Sequence, residues 1–121
     1  MLPEPVRLHR SRDFTEVVRS GRRAGRSTLV VHLLAPVPDG SAPGDRQSKV
    51  GFIVSRQVGN SVRRHEVTRR LRHLMLDRIG LLPDGSRLVV RAKPAAAGST
   101  SAQLGHDLDG SLARLRTGSG R

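Results

Sequence analysis

The chain of 121 residues contains no cysteine, tryptophan or tyrosine. Without cysteine there can be no disulfide, no thiolate zinc site and no cysteine nucleophile. Phe14 and Phe52 are the only aromatic residues, so aliphatic side chains must fill most of the interior. No apolar run approaches the ~18 residues that a membrane span needs. The N-terminal MLPEPVRLHRSRDF has no apolar stretch of the kind a secretory signal requires. Together these absences predict a cytoplasmic protein. Acidic residues are scarce as well: ten stand against 22 lysines and arginines, for a net charge of +12. Lysine itself is almost missing, with Lys49 and Lys93 the only two. A small domain this basic repels itself unless it meets a polyanion. The planar guanidinium grips two phosphate oxygens at once, so a bias to arginine favours phosphate. Nucleic acid is the leading partner class and an anionic membrane surface the second. A genome rich in G and C would favour arginine over lysine, but would not produce the excess charge.

What is present suits a single domain spanning 1–121. Pro3 and Pro5 keep the first ten residues extended. With Ser11 as N-cap, Phe14, Val17 and Val18 follow at helical spacing, and Gly21 stands where a C-cap glycine belongs; a helix is predicted over about 12–20. Thr28 to Leu34 and Val50 to Ser55 read as strands. Between them, Pro36 to Gln47 is a polar loop rich in proline and glycine, expected to be flexible. A long helix is predicted from about Gly59 to Ile79, a turn at Pro83-Asp84-Gly85, and a third strand over Arg87 to Ala92, stopped by Pro94. Thr100 to Gln103 fits a capping box opening a last helix, with Leu104, Leu108, Leu112 and Leu115 on one face. The order α-β-β-α-β-α predicts a small α+β sandwich, one sheet with helices packed on it. Its ordered part is expected over about 7–116, with a disordered tail at 117–121.

The long helix carries the strongest signal. At ~100° per residue, Val67, Leu71, Leu74 and Met75 share one apolar arc. His65, Arg69 and Arg72 share another, well away from it, while Arg63 and Arg70 occupy the flank and Arg64 the edge of the apolar face. Glu66 and Asp77 are too few to neutralise Arg63, Arg64, Arg69, Arg70, Arg72 and Arg78. A membrane-binding helix would need bulky apolar residues beside the basic face, but this stripe is narrow and can be used up by the sheet. A reader of the double-helix groove would sit in an all-α unit, and the flanking strands argue against one. At the helix start, Gly59-Asn60-Ser61 follows a strand directly, with Arg56, Arg63 and Arg64 nearby. That point suits a cap, a phosphate or both.

These residues resemble the protein subunit of bacterial ribonuclease P. The similarity covers about Arg7 to Leu115. It is most specific in Ser55-Arg56-Gln57-Val58-Gly59-Asn60-Ser61-Val62-Arg63-Arg64-His65, continuing to Arg69 and Arg72. Arg7-Leu8, Asp13-Phe14 before Gly21, Val50-Gly51-Phe52 and Ala92-Lys93-Pro94 match in the same order. The resemblance implies a left-handed βαβ crossover presenting the arginine-rich helix. It further implies an accessory subunit of an endoribonuclease that removes the 5′ leader of precursor tRNA. The active site and its Mg²⁺ ions would belong to a catalytic RNA, with no cofactor bound by the protein alone and one protein monomer per RNA. By the same analogy Arg56, Arg63, Arg64, His65, Arg69, Arg70 and Arg72 meet that RNA. The leader would lie in a cleft between the first helix and the sheet. His65 stands where the family usually has asparagine, and Thr68 where lysine is common. Val18 and His32 replace frequent aromatics, and Gln57 a basic residue.

Strand alternation gives a cleft independently. With Leu29, Val31, Leu33, Phe52, Val54, Leu88 and Val90 facing the core, Val30, His32, Ile53, Val89 and Arg91 form an open face beside Phe14 and Val18. This partly apolar and partly basic floor suits single-stranded RNA, and the resemblance places Gln57 in the same cleft. A ribosomal protein is the competing reading. A self-sufficient nuclease would use clustered acids to hold metal. Here Asp107 and Asp109, the closest pair near the C-terminus, fall on roughly opposed helix faces.

Overall fold

The computed structural model describes residues 7, 8, 10–35, 48–83 and 85–117. The expected flexible loop at 36–47 and residues 118–121 of the expected tail lie outside them. Among these residues, three α-helices and four strands follow in the order α1 (Ser11–Ser20), β1 (Arg22–Gly25), β2 (Leu29–Leu34), β3 (Lys49–Ile53), α2 (Ser61–Leu76), β4 (Arg87–Ala92) and α3 (Ser101–Thr117). The strands form one sheet in the order β1-β2-β4-β3. Pairs β1–β2 and β2–β4 are antiparallel, while β3 and β4 are parallel. The connection from β3 to β4 carries α2, which makes a βαβ unit. The α+β class and the expected helices and strands are present, and β1 is an addition at the sheet edge; residues 1–6 and 9 of the expected extended start, and Asp84 of the expected turn, lie outside the described residues.

The sheet separates two apolar clusters. On one face Leu29, Val31, Leu33, Val50, Leu88 and Val90 pack with Val67, Leu71 and Met75 of α2 and Leu104, Leu108, Leu112 and Leu115 of α3. Val67, Leu71 and Met75 are fully buried, each contributing on the order of 1.5–3 kcal/mol. Leu74, at the edge of the same arc, is partly buried. On the other face Val17 and Val89 pack with Leu8, Phe14, Val18, Leu34 and Ile53.

Charge and close approach fix α1 on that second face. Arg87 of β4 pairs with Glu16 at 2.7 Å and Asp13 at 3.6 Å. Gly51 lets the Phe14 ring lie against β3, because a Cβ there would collide with the ring. Gly21 does end α1, but in extended backbone rather than a left-handed cap. It is needed for space: an added Cβ would sit 2.5 Å from the Val17 carbonyl oxygen and 2.8 Å from that of Leu33.

Several boundaries differ from expectation for local reasons. Ser11 is already helical, and the N-cap is Arg10, which makes no side-chain cap. The α2 helix starts after Asn60, whose side chain accepts from the Arg63 amide at 2.9 Å. It ends at Leu76, and a 3₁₀ turn over Ile79–Leu81 follows. Thr28 stays outside β2 because its amide donates to the Asp107 carboxylate. The strand β3 stops before a turn in which the Val58 amide donates to the Ser55 carbonyl. The capping box is present: the Gln103 amide donates to Thr100 Oγ1 at 3.1 Å, and the Thr100 amide to Gln103 Oε1 at 2.8 Å. Thr117 is the last helical residue of α3 rather than the first of a tail.

Candidate nucleic-acid interface

The side of α2 away from the sheet presents the basic ridge. His65 and Arg69 are exposed and Arg72 partly so. With Arg70, His73 and Ser101 they line a hollow of about 500 Å³ where α2 meets the first turn of α3. Among the described residues no carboxylate lines this hollow. Glu66 instead pairs with Arg70 at 3.4 Å. His73 and Ser101 lie outside the residues quoted for the resemblance. Ser101 arrives through the packing of α3 on α2, whereas His73 extends the His65–Arg69–Arg72 face by one turn, a periodicity that could have flagged it.

The flanking arginines have structural partners. Arg63 donates to the Ala97 carbonyl at 3.2 Å, and Arg70 to that of Ser99 at 3.1 Å. Both side chains therefore anchor α2 to the 3₁₀ turn Pro94–Gly98 and its exit, which holds the ridge at a fixed angle. Arg64 is partly buried, and its Nε lies in the protein interior without a partner, as expected for a stem packed at the apolar edge. Arg56 and Gln57 are exposed in the turn before α2. Arg56, Arg63 and Arg64 are thus grouped around the helix start, where Asn60 occupies the Arg63 amide.

The second face corrects the expectation of an open floor. The faces follow the expected alternation, but Val30, His32 and Val89 are only 3%, 2% and 0% exposed. Docking of α1 covers Val89. The accessible groups around them are Phe14, Val18 and Ile53, all partly exposed, with Arg91 and Gln57 exposed. Register places Ile53, Arg91 and Val30 in one row across β3, β4 and β2. The buried His32 ring makes no hydrogen bond through either nitrogen. Burial, together with the positive charge of Arg91 and Arg23, holds its pKa below the usual imidazole value. It is accordingly a neutral spacer on β2, beside Arg23 of β1.

The acids of α3 serve the fold. Asp107 accepts from the Thr28 amide at 3.1 Å, from Thr28 Oγ1 at 2.5 Å and from Ser27 Oγ at 3.4 Å. Burial works against its charge, but these donors prevail and hold its pKa below the usual carboxylate value. Asp109 pairs with Arg78 at 2.7 Å, which lowers its pKa as well. Among the described residues no group of three or more His, Cys, Asp or Glu is placed to hold a metal ion. No helix there is long and apolar enough to cross a membrane.

The comparisons with known proteins agree with this geometry. The family model described as Ribonuclease P matches residues 2–116. The chain is 53% identical over 123 residues to the ribonuclease P protein component of Streptomyces avermitilis, with both chains fully covered. To that of a Nocardioides species it is 52% identical over 115 residues, covering 95% of each. Its fold is similar to the RNase P protein of Staphylococcus aureus, with a TM-score of 0.76, 20% identity, and coverage of 93% of this chain and 98% of the other. The RNase P protein of Thermotoga maritima gives 0.70 at 23% identity, over 91% and 94%. A basic helix displayed by a βαβ unit, on a chain matched from end to end by these relatives, leaves one conclusion: the chain belongs to the ribonuclease P protein family.

Proposed function

We propose that the protein is the accessory subunit of a ribonucleoprotein endonuclease that matures the 5′ end of tRNA, and that its two faces have separate tasks. The ridge of α2, through His65, Arg69 and Arg72 with Arg56, Arg63, Arg64 and Arg70 around it, binds the catalytic RNA. The groove along α1 and the sheet, through Phe14, Val18, Ile53, Gln57 and Arg91, holds the single-stranded leader of precursor tRNA. The basic hollow on α2 without a facing carboxylate carries this reading. Chemistry belongs to the RNA and its Mg²⁺, since the acids nearest each other on α3 are already committed to Thr28, Ser27 and Arg78. The assembly works in the cytoplasm with one protein per RNA.

Separating the two tasks tests the proposal. In binding assays, Arg69→Ala with Arg72→Ala weakens association with the RNA subunit. The same pair reduces the dependence of log affinity on log salt by about 0.7–0.9 for each phosphate no longer neutralised. Phe14→Ala leaves that association intact and lowers affinity only for substrates that carry a leader. Equal losses with and without a leader in Phe14→Ala would refute the groove assignment.

A further inference from the structure

The edge strand β1 places a residue in the groove that the sequence did not reveal. Cα register pairs Arg23 with His32 and His32 with Val89; the neighbouring row pairs Gly25 with Val30 and Val30 with Arg91. Alternation puts all six on the face that α1 covers only in part. Arg23 on β1 and Arg91 on β4 therefore stand on either side of β2, displaced by one pair along it. Strands spaced ~4.8 Å apart put their backbones ~10 Å apart, with a further ~7 Å along the strand. Two arginine side chains can converge over β2 from those positions. Both are exposed, as is Gly25 on β1 in the row of Arg91, where an added Cβ would meet nothing nearer than a Val30 methyl at 3.9 Å. The floor beside them is therefore flat.

Neither arginine has an acidic partner among the described residues. The ion pairs there join Arg70 to Glu66, Arg78 to Asp109, and Arg87 to Asp13 and Glu16. The field of both guanidinium groups reaches the His32 ring between them. Two unpaired guanidinium groups over a buried neutral ring and a flat backbone form a receptor for an anion that also has a flat or extended body.

We infer that Arg23 and Arg91 form a clamp for the leader's phosphate backbone, carrying the bound strand across the sheet from Ile53 and Arg91 to the β1 edge. This rests on the leader-groove reading above and adds to it a further binding residue, Arg23, and a direction for the strand. Arginine suits the task because its fork grips two phosphate oxygens, which a lysine ammonium cannot do.

The test uses the assembled holoenzyme with the cognate RNA subunit, and measures affinity for precursor tRNA with a leader and for the same tRNA without one. Arg23→Gln is expected to lower affinity for the leader-bearing substrate on the order of tenfold. It should reduce the salt slope by about 0.7, and leave the leaderless tRNA unchanged. Arg23→Lys recovers the salt slope but not the full affinity. If Arg23→Gln keeps the whole leader-dependent gain seen with the natural protein, the clamp is refuted while the groove stands. If the natural protein itself shows no leader-dependent gain, the groove reading falls, and the clamp with it.

Discussion

At the scale of the residue, His32 and Gly51 show how α1 is held. His32 is buried and neutral, with its pKa below the ordinary imidazole value of 6.5. The unfolded chain therefore takes up a proton before the folded one does. Stability attached to this residue is complete above about pH 6.5 and is lost as pH falls toward the lower folded value. Melting temperatures across that window should drop more steeply for the natural protein than for His32→Leu, which has no proton to accept; parallel curves would contradict the assignment. Asp107 also loses stability on acidification, in a more acidic window. Its hydrogen-bonded carboxylate stabilises the fold above the unfolded value near 3.8, and that stability is lost as pH falls through its lower folded value. Gly51→Val would drive a side chain into Phe14, and overpacking of this kind costs about 1–3 kcal/mol. Denaturant titration reads that loss, and leader-dependent affinity should fall with it. Alternation assigned these residues to the right face, yet gave no measure of depth. Whether Val89 is floor or core depends on where α1 docks, which Arg87, Asp13 and Glu16 decide across 71 or more positions of sequence.

At the scale of the element, local signals were legible wherever they sufficed. The bounds of β4 and the capping box of α3 could be read directly, because β-branched runs and the Thr100–Gln103 pair act within a few residues. The strand β1 could not. Its four residues, RRAG, contain one apolar side chain, Ala24, so no alternation is visible; pairing with β2 makes it a strand. For the same reason Arg23, which we propose as a groove residue, is invisible to sequence alternation. The cap of α1 failed because Arg10, not Ser11, stands at the boundary. Caps can be tested singly: Asn60→Ala removes the bond to the Arg63 amide and should cost about 1 kcal/mol. Since that turn leads the basic ridge, RNA affinity should weaken with stability, and chemical denaturation together with filter binding would show both. The dual use of Arg63 and Arg70, which reach Ala97 and Ser99, was also hidden from periodicity. Their partners lie 34 and 29 residues away.

At the scale of the whole molecule, a sheet with α1 on one face and α2 and α3 on the other places two basic surfaces on a chain of net charge +12. Structural ion pairs use Arg70, Arg78 and Arg87, leaving the ridge and the groove without facing acids among the described residues. That division of arginines is the physical support for the proposed role, in which the protein binds and positions RNA while the chemistry is left to an RNA catalyst. The most direct measurement is multiple-turnover cleavage of a precursor tRNA by the cognate ribonuclease P RNA at low Mg²⁺, with and without this protein, alongside the protein alone. The account predicts stimulated cleavage at the mature 5′ end with the protein present, and no cleavage by the protein alone. Tight RNA binding without stimulation would contradict it and favour a general RNA-binding role, and cleavage by the protein alone would contradict it outright.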